Sequence, residues 1–325
     1  MKAQLCHGPG KPEDLVYGDV PEPELHDTGI RIRVRATGIN FADSLLLSGK
    51  YQIKPGLPFS PGLEVAGDIL ECGAGVKGFS VGQRVLAIVD YGGFAEQVVA
   101  RADSVYVLPD SLDYTLAAAV PVAYGTSHLG LKEMAGLKAG ETLLVHGAAG
   151  GVGLTAVEIG KHMGAKVIAT AGGSEKLKIA ESYGADLGID YRSEDIAVRV
   201  KELTDGHGAD VIYDPVGGAV FDASLKAVTK GGRILVVGFA SGTVPQIPAN
   251  ILLVKNVTVI GYYWGGWHLL DAELFRASMI EVLAWIGEDL LKPHVSHTYP
   301  LQQAPEALNL LLNRKSTGKV VLTID

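Results

Sequence analysis

Hydrophobic and polar positions alternate most clearly in residues 30–35, where Ile30, Ile32 and Val34 are interleaved with Arg31, Arg33 and Arg35. A period of two is that of a strand with one buried face. Short β segments of the same kind, separated by Pro and Gly, are expected at residues 1–5, 63–72, 84–88 and 94–100, and together they fit a barrel or folded-over sheet. Residues 40–48 interrupt them with Phe41, Leu45 and Ser48 at helical spacing and Asn40 as the candidate N-cap. Past Pro109 the pattern changes. Residues 116–122 read as a proline-kinked connector into a helix ending near Met134.

Six apolar runs then alternate with helical patterns, at residues 143–146, 167–170, 187–190, 211–214, 234–238 and 257–262. That order predicts an α/β fold with a doubly wound, six-stranded parallel sheet. Two helices over residues 272–285 and 305–314 and a strand over 320–324 close the chain. The final strand is expected to rejoin the first domain, because the six-stranded sheet is already complete. The predicted domains are therefore residues 1–121 with 265–325, and residues 122–264.

The first run of that sheet leads directly into Gly147, Gly150, Gly151 and Gly153, followed by Val152, Ala156, Ile159 and Met163 at helical spacing and Gly164 as a C-terminal cap. Strand, glycine turn and helix start leave N–H groups and the positive end of a helix dipole facing a ligand, a setting that favours phosphate. The fingerprint G-x-G-x-x-G is present with its first glycine shifted, Gly147 standing one place before Ala148. Gly150 is expected to admit the pyrophosphate and Gly153 to let the helix sit close to the strand.

Composition narrows the function. At 325 residues and a net charge of -8, the chain has room for two cores, and nucleic acid or an anionic membrane is not expected as a partner. With Cys6 and Cys72 as its two cysteines it builds no disulfide framework. No stretch has the length and apolarity of a membrane span, and the start lacks a signal-peptide core, so a cytoplasmic location is expected.

Four motifs carry a family resemblance: GINFADSLLLSGKY at residues 38–51, PGLEVAG at 61–67, AAGGVG at 148–153 and NVTVIG at 256–261. With the order of elements, the sequence resembles the zinc-free quinone oxidoreductases, the zeta-crystallin-like branch of the medium-chain dehydrogenase/reductase superfamily. The resemblance implies a GroES-like catalytic domain and a Rossmann domain holding NADPH, with Ala149, Gly150, Gly151 and Val152 at the cofactor. Where the zinc-dependent branch has a ligand Cys and a ligand His, this chain has Asn40 and Leu63, neither of which offers a suitable ligand atom, so no metal is expected. Glu64 reads as structural, and His294 with His297 as polar residues before a strand.

An NAD-binding fold carries an acid about 20 residues after the glycine turn. Here that region reads Gly172, Gly173, Ser174, Glu175, Lys176 after the second strand, which predicts NADPH over NADH. Lys176 neutralises the 2′-phosphate, Gly172, Gly173 and Ser174 line its site, and the resemblance adds the hydroxyl of Tyr191. At the nicotinamide end the resemblance points to Gly238 and Phe239, with Thr126 and Lys319 as further cofactor candidates. It also places Asn40, Asp43 and Tyr51 in the segment facing the cofactor, Tyr51 as oxyanion donor or proton relay and Asn40 orienting a carbonyl. Tyr262, Tyr263, Trp264 and Trp267 are expected to line a flat apolar pocket or cover a subunit contact. A homodimer through the sixth strand follows from the resemblance. The function read from all this is NADPH-dependent quinone reduction. Alternatives are reduction of the C=C bond of an enone, enal or enoyl thioester, and a non-catalytic NADPH-binding protein of crystallin or RNA-binding type.

Overall fold

A computed structural model describes the chain from Met1 to Asp325. It divides into two compact units, Met1–Val122 with Met279–Asp325, and Ala123–Ser278. The return to the first unit thus falls later than residue 265, inside the helix Ala272–Gly287. Packing explains the shift: Trp264 is buried with its ring 4.8 Å from that of Phe275, which ties the segment after the sixth strand and the start of that helix to the second unit.

In the first unit the alternating stretch becomes the long strand Gly29–Ile39. Ile30, Ile32 and Val34 are buried, Arg33 is exposed, and the half-buried Arg31 and Arg35 reach Glu22 and Asp68 at 2.7 and 2.8 Å. One edge of this strand pairs antiparallel with Glu64–Cys72, which leads on to Arg84–Ile88 and Val105–Val107, while Gln97–Arg101 also pairs with its first half. From Ala36 onward both faces are covered, and the last strand of the chain, Lys319–Thr323, docks antiparallel with Val320 opposite Ile39. The C-terminus therefore completes the N-terminal sheet. A further strand, Val295–Pro300, lies parallel to Lys319–Thr323 at the edge and contains His297, which the sequence had placed before a strand.

The second unit is a six-stranded sheet in which every pairing is parallel. From edge to edge it runs Leu187–Asp190, Lys166–Ala171, Thr142–Val145, Ala209–Asp214, Val228–Val236, Thr258–Gly261. The order reverses direction between Thr142–Val145 and Ala209–Asp214, and the loops at their carboxyl ends open the crevice where ligands bind in such sheets. Leu144, Ile168, Ile189, Ile212, Phe221 and Ile234 form the core on one face; full burial of each contributes about 1.5–3 kcal/mol. No helix is long and apolar enough to cross a membrane.

Candidate functional site

The nucleotide end is built from the turn after the first parallel strand. Thr142–Val145 is buried throughout, Gly147 turns the chain at φ +60°, and Gly150 begins the helix Gly151–His162. A Cβ on Gly153 would lie 2.2 Å from the Gly147 carbonyl oxygen. Only glycine lets the first helical turn settle on the bend. Gly160 does the same farther along the helix, where a Cβ would meet the Leu143 side chain at 2.3 Å. The first helical bond runs from Leu154 N–H to the Gly150 carbonyl at 2.8 Å, so Gly151, Val152 and Gly153 contribute the N–H groups that a helix start leaves over. Ala149 is buried beside them. Beneath the turn His146 is fully buried, bonded to Thr170 Oγ1 at 3.0 Å and Ser224 Oγ at 2.9 Å; burial lowers its pKa and keeps it neutral.

Past the second strand, Gly172 and Gly173 lead into the helix Ser174–Ser182. A Cβ on Gly172 would sit 2.7 Å from the Tyr191 hydroxyl and 2.9 Å from Arg192 Nε, and one on Gly173 would sit 3.1 Å from Arg192 Nη1. Tyr191 and a guanidinium therefore converge on the glycine pair. Arg192 was missed in the sequence reading; the signal was its place directly after Tyr191. The Gly173 N–H, expected to serve a phosphate, instead donates to Asp190 Oδ1 at 3.0 Å, which also accepts from Arg192 N at 3.0 Å. Ser174 is exposed and Lys176 half-buried at the same helix start.

Gly238 and Phe239 follow the fifth strand in a loop held to the one after the fourth. Asp214 Oδ1 accepts from Val216 and Gly217 N–H at 2.8 and 2.9 Å, and Ala240 and Ser241 donate to the carbonyls of Pro215 and Val216 at 3.1 and 2.9 Å. Thr126 is buried in the helix Pro121–Leu129, beside Ser127, which bonds Thr155 Oγ1 at 2.8 Å and Tyr213 at 3.0 Å. The aromatic run does not make one flat wall. Tyr262 and Trp264 are buried core residues, whereas the exposed Tyr263 lies over Gly265 and Gly266.

In the first unit Asn40, Asp43, Glu64 and Lys319 meet in one buried polar cluster. Lys319 Nζ donates to the Ile39 carbonyl at 2.8 Å, Asn40 Oδ1 at 2.6 Å and Glu64 Oε1 at 2.7 Å. Asn40 Nδ2 donates to Glu64 Oε1 at 2.7 Å, and Glu64 Oε2 accepts from Val122 N at 2.8 Å. Lys319, expected near the cofactor phosphates or ribose, thus places all three ammonium hydrogens inside the GroES-like unit. Asp43 differs from expectation as well. It is wholly buried, and its two oxygens accept the N–H groups of Asn40 at 2.7 Å and Gly62 at 3.1 Å, so it braces the helix start against the Gly62 bend. Burial raises its pKa to about 7, opposed by those N–H groups. Tyr51 is half-buried, packed on the β core.

These two units together define a nucleotide-dependent dehydrogenase or reductase. A family model described as "Zinc-binding dehydrogenase" matches residues 151–285, and one described as "Alcohol dehydrogenase GroES-like domain" matches residues 26–110. The chain is similar to a quinone oxidoreductase-like protein 2 homolog of Nematostella vectensis, 46% identical over 99% of this chain and 88% of that one. It is 34% identical to a quinone oxidoreductase of Homo sapiens, over 100% of this chain and 98% of that one. The crystal structure of Escherichia coli quinone oxidoreductase complexed with NADPH superposes with a TM-score of 0.94 at 31% identity, covering 99% of this chain and 100% of that one. The chain belongs to the quinone oxidoreductase branch of the medium-chain dehydrogenase/reductase superfamily.

Zinc, which the first family description names, does not fit the donor set. Leu63 offers no ligand atom, the Asn40 amide oxygen accepts from the Lys319 ammonium, both oxygens of Glu64 hold hydrogen bonds, and no three His, Cys, Asp or Glu side chains converge.

Proposed function

We propose that this enzyme reduces quinones with NADPH by zinc-independent hydride transfer. The observation that carries the cofactor choice is the cradle at Gly172–Gly173, with the Tyr191 hydroxyl and the Arg192 guanidinium turned onto it. A phenol and a guanidinium suit a phosphomonoester, whose charge and several acceptor oxygens match them better than the single neutral oxygen of a ribose hydroxyl. Lys176 and Ser174 add a charge and a donor at the helix start. Backbone N–H groups of Gly151 and Val152 bind the pyrophosphate, with Ala149 and Gly150 lining its site. Gly238 and Phe239 hold the carboxamide end, and Thr126 supports the cofactor from the helix Pro121–Leu129.

NADPH, when bound, supplies the hydride. The protein's part is to orient the acceptor, exclude water and stabilise the oxygen on which charge develops. Asn40 donates its amide N–H to that oxygen, and the Tyr51 phenol relays a proton from water, so that quinone leaves as hydroquinone. Asp43 keeps the helix bearing Asn40 in place. Because quinones accept hydride into a ring-stabilised anion, no metal is needed to polarise the carbonyl. Two copies join through the edge strand Thr258–Gly261; Leu253 and Val254, 75% and 67% exposed on the helix leading into it, support this.

The test is NADPH oxidation against a matched panel of quinones, enones and enoyl thioesters. Quinones should rank first in kcat/KM, and NADPH should exceed NADH by roughly 100-fold, the worth of two charge-assisted bonds. Enones ranking first would redirect the assignment to C=C reduction. Tight NADPH binding without turnover of any acceptor would return it to a non-catalytic binder.

A further inference from the structure

Which way the Asn40 amide points is decided by charge. An ammonium only donates, so the amide atom 2.6 Å from Lys319 Nζ is the oxygen; a carboxylate only accepts, so the atom 2.7 Å from Glu64 Oε1 is the nitrogen. A flipped amide would set donor against donor and acceptor against acceptor at both contacts. The pair that enforces this is itself immobile. Lys319 also holds the Ile39 carbonyl, Glu64 Oε2 is pinned by the Val122 N–H, and Gly38 leaves the space Glu64 fills, since a Cβ there would lie 2.3 Å from Oε1. Lys319 reaches this position because its strand is zipped to Gly29–Ile39, 280 residues away in the chain.

We propose that Lys319 is the resident cation of this unit and a positioning residue for hydride transfer. It binds the oxygen of the Asn40 amide and, with Glu64 taking one amide hydrogen, leaves the second as the outward donor. Asn40 then meets the acceptor only as a hydrogen-bond donor, to a carbonyl oxygen. This rests on the donor role assigned to Asn40 above.

The experiment compares Asn40→Ala, Lys319→Arg and the paired variant Glu64→Gln with Lys319→Met against the unmodified enzyme, by NADPH affinity, by kcat and KM for a quinone, and by NMR hydrogen exchange of the Asn40 side-chain amide. The paired variant removes the lysine and glutamate charges together and frees the amide to flip. Its kcat should fall about tenfold, a fraction of the loss on deleting such a donor outright, while the Kd for NADPH stays within about twofold. Lys319→Arg, which keeps the charge beside Asn40 and Glu64, should retain a higher kcat than the paired variant. In the unmodified protein one Asn40 amide hydrogen should exchange slowly and the other fast, and the paired variant should lose the slow one. An unchanged kcat in the paired variant alongside a reduced kcat in Asn40→Ala overturns the positioning role and leaves the donor role standing. An unchanged kcat in Asn40→Ala overturns both. Two equally fast amide hydrogens in the unmodified protein overturn the orientation even if no quinone is turned over.

Discussion

Arg192 carries the proposed cofactor preference at the scale of one side chain. With its guanidinium beside Gly172 and Gly173, Arg192→Ala should lower kcat/KM for NADPH about 10- to 50-fold and leave NADH within about twofold, as steady-state kinetics with both cofactors will read. Gly153→Ala should cost about 1–3 kcal/mol and weaken NADPH binding, because its methyl group would collide with the Gly147 carbonyl and force the turn open; thermal melts and a binding titration check it. Asp43 makes a pH prediction. Its folded-state pKa of about 7 lies above its unfolded value near 3.8, so between those values the folded chain holds a proton that the unfolded chain has lost. Its contribution therefore favours the fold at low pH and is lost as pH rises through 7. The Tm difference between the unmodified protein and Asp43→Asn should fall from about pH 5 to about pH 8. A difference that rises instead would contradict burial as the dominant influence on this carboxyl. At this scale the residue types were readable in the sequence, whereas the uses of Asp43 and Lys319 were not. Both roles depend on partners reached by folding.

Among the elements, the glycine turn and its helix were legible because strand, bend and helix are contiguous, and every constraint on them is local. The same holds for the apolar runs of the central parallel strands, Thr142–Val145 buried throughout and Lys166–Ala171 and Ala209–Asp214 nearly so. The sixth, Thr258–Gly261, sits at the edge with only its middle residues half-buried, and its exposed neighbours Leu253 and Val254 give the dimer prediction. Sedimentation at micromolar concentration should show a dimer, and Leu253→Glu with Val254→Glu should shift it to monomer without lowering NADPH affinity more than about twofold. Val295–Pro300 was not foreseen: Ser296, His297 and Thr298 are polar, and the segment becomes a strand because Lys319–Thr323 offers it an edge. The aromatic run after the sixth strand misled for a related reason. Aromatic residues at a strand end suit a pocket wall and a core equally, and Phe275, supplied by the next helix, decided for the core around Trp264.

For the whole molecule the last strand matters out of proportion to its length. It completes the N-terminal sheet and delivers Lys319 to Glu64 and Asn40, so removing residues 316–325 should lower Tm by more than about 10 °C and abolish activity together. Treatment with a metal chelator should leave kcat/KM unchanged, since no set of His, Cys, Asp or Glu side chains converges to hold a metal ion. Periodicity and local turn chemistry determined by themselves that the chain would form a β unit followed by a parallel α/β sheet with a phosphate-seeking bend, because a strand's alternation and a glycine's freedom depend on neighbours in sequence. The tertiary structure alone decided where the chain returns to its first unit, that Arg192 faces the glycine pair, and that one amide is held between a lysine and a glutamate. Those outcomes hang on groups far apart in the chain, whose hydrogen-bonding and charge acquire a direction only when burial removes the water that would otherwise satisfy them.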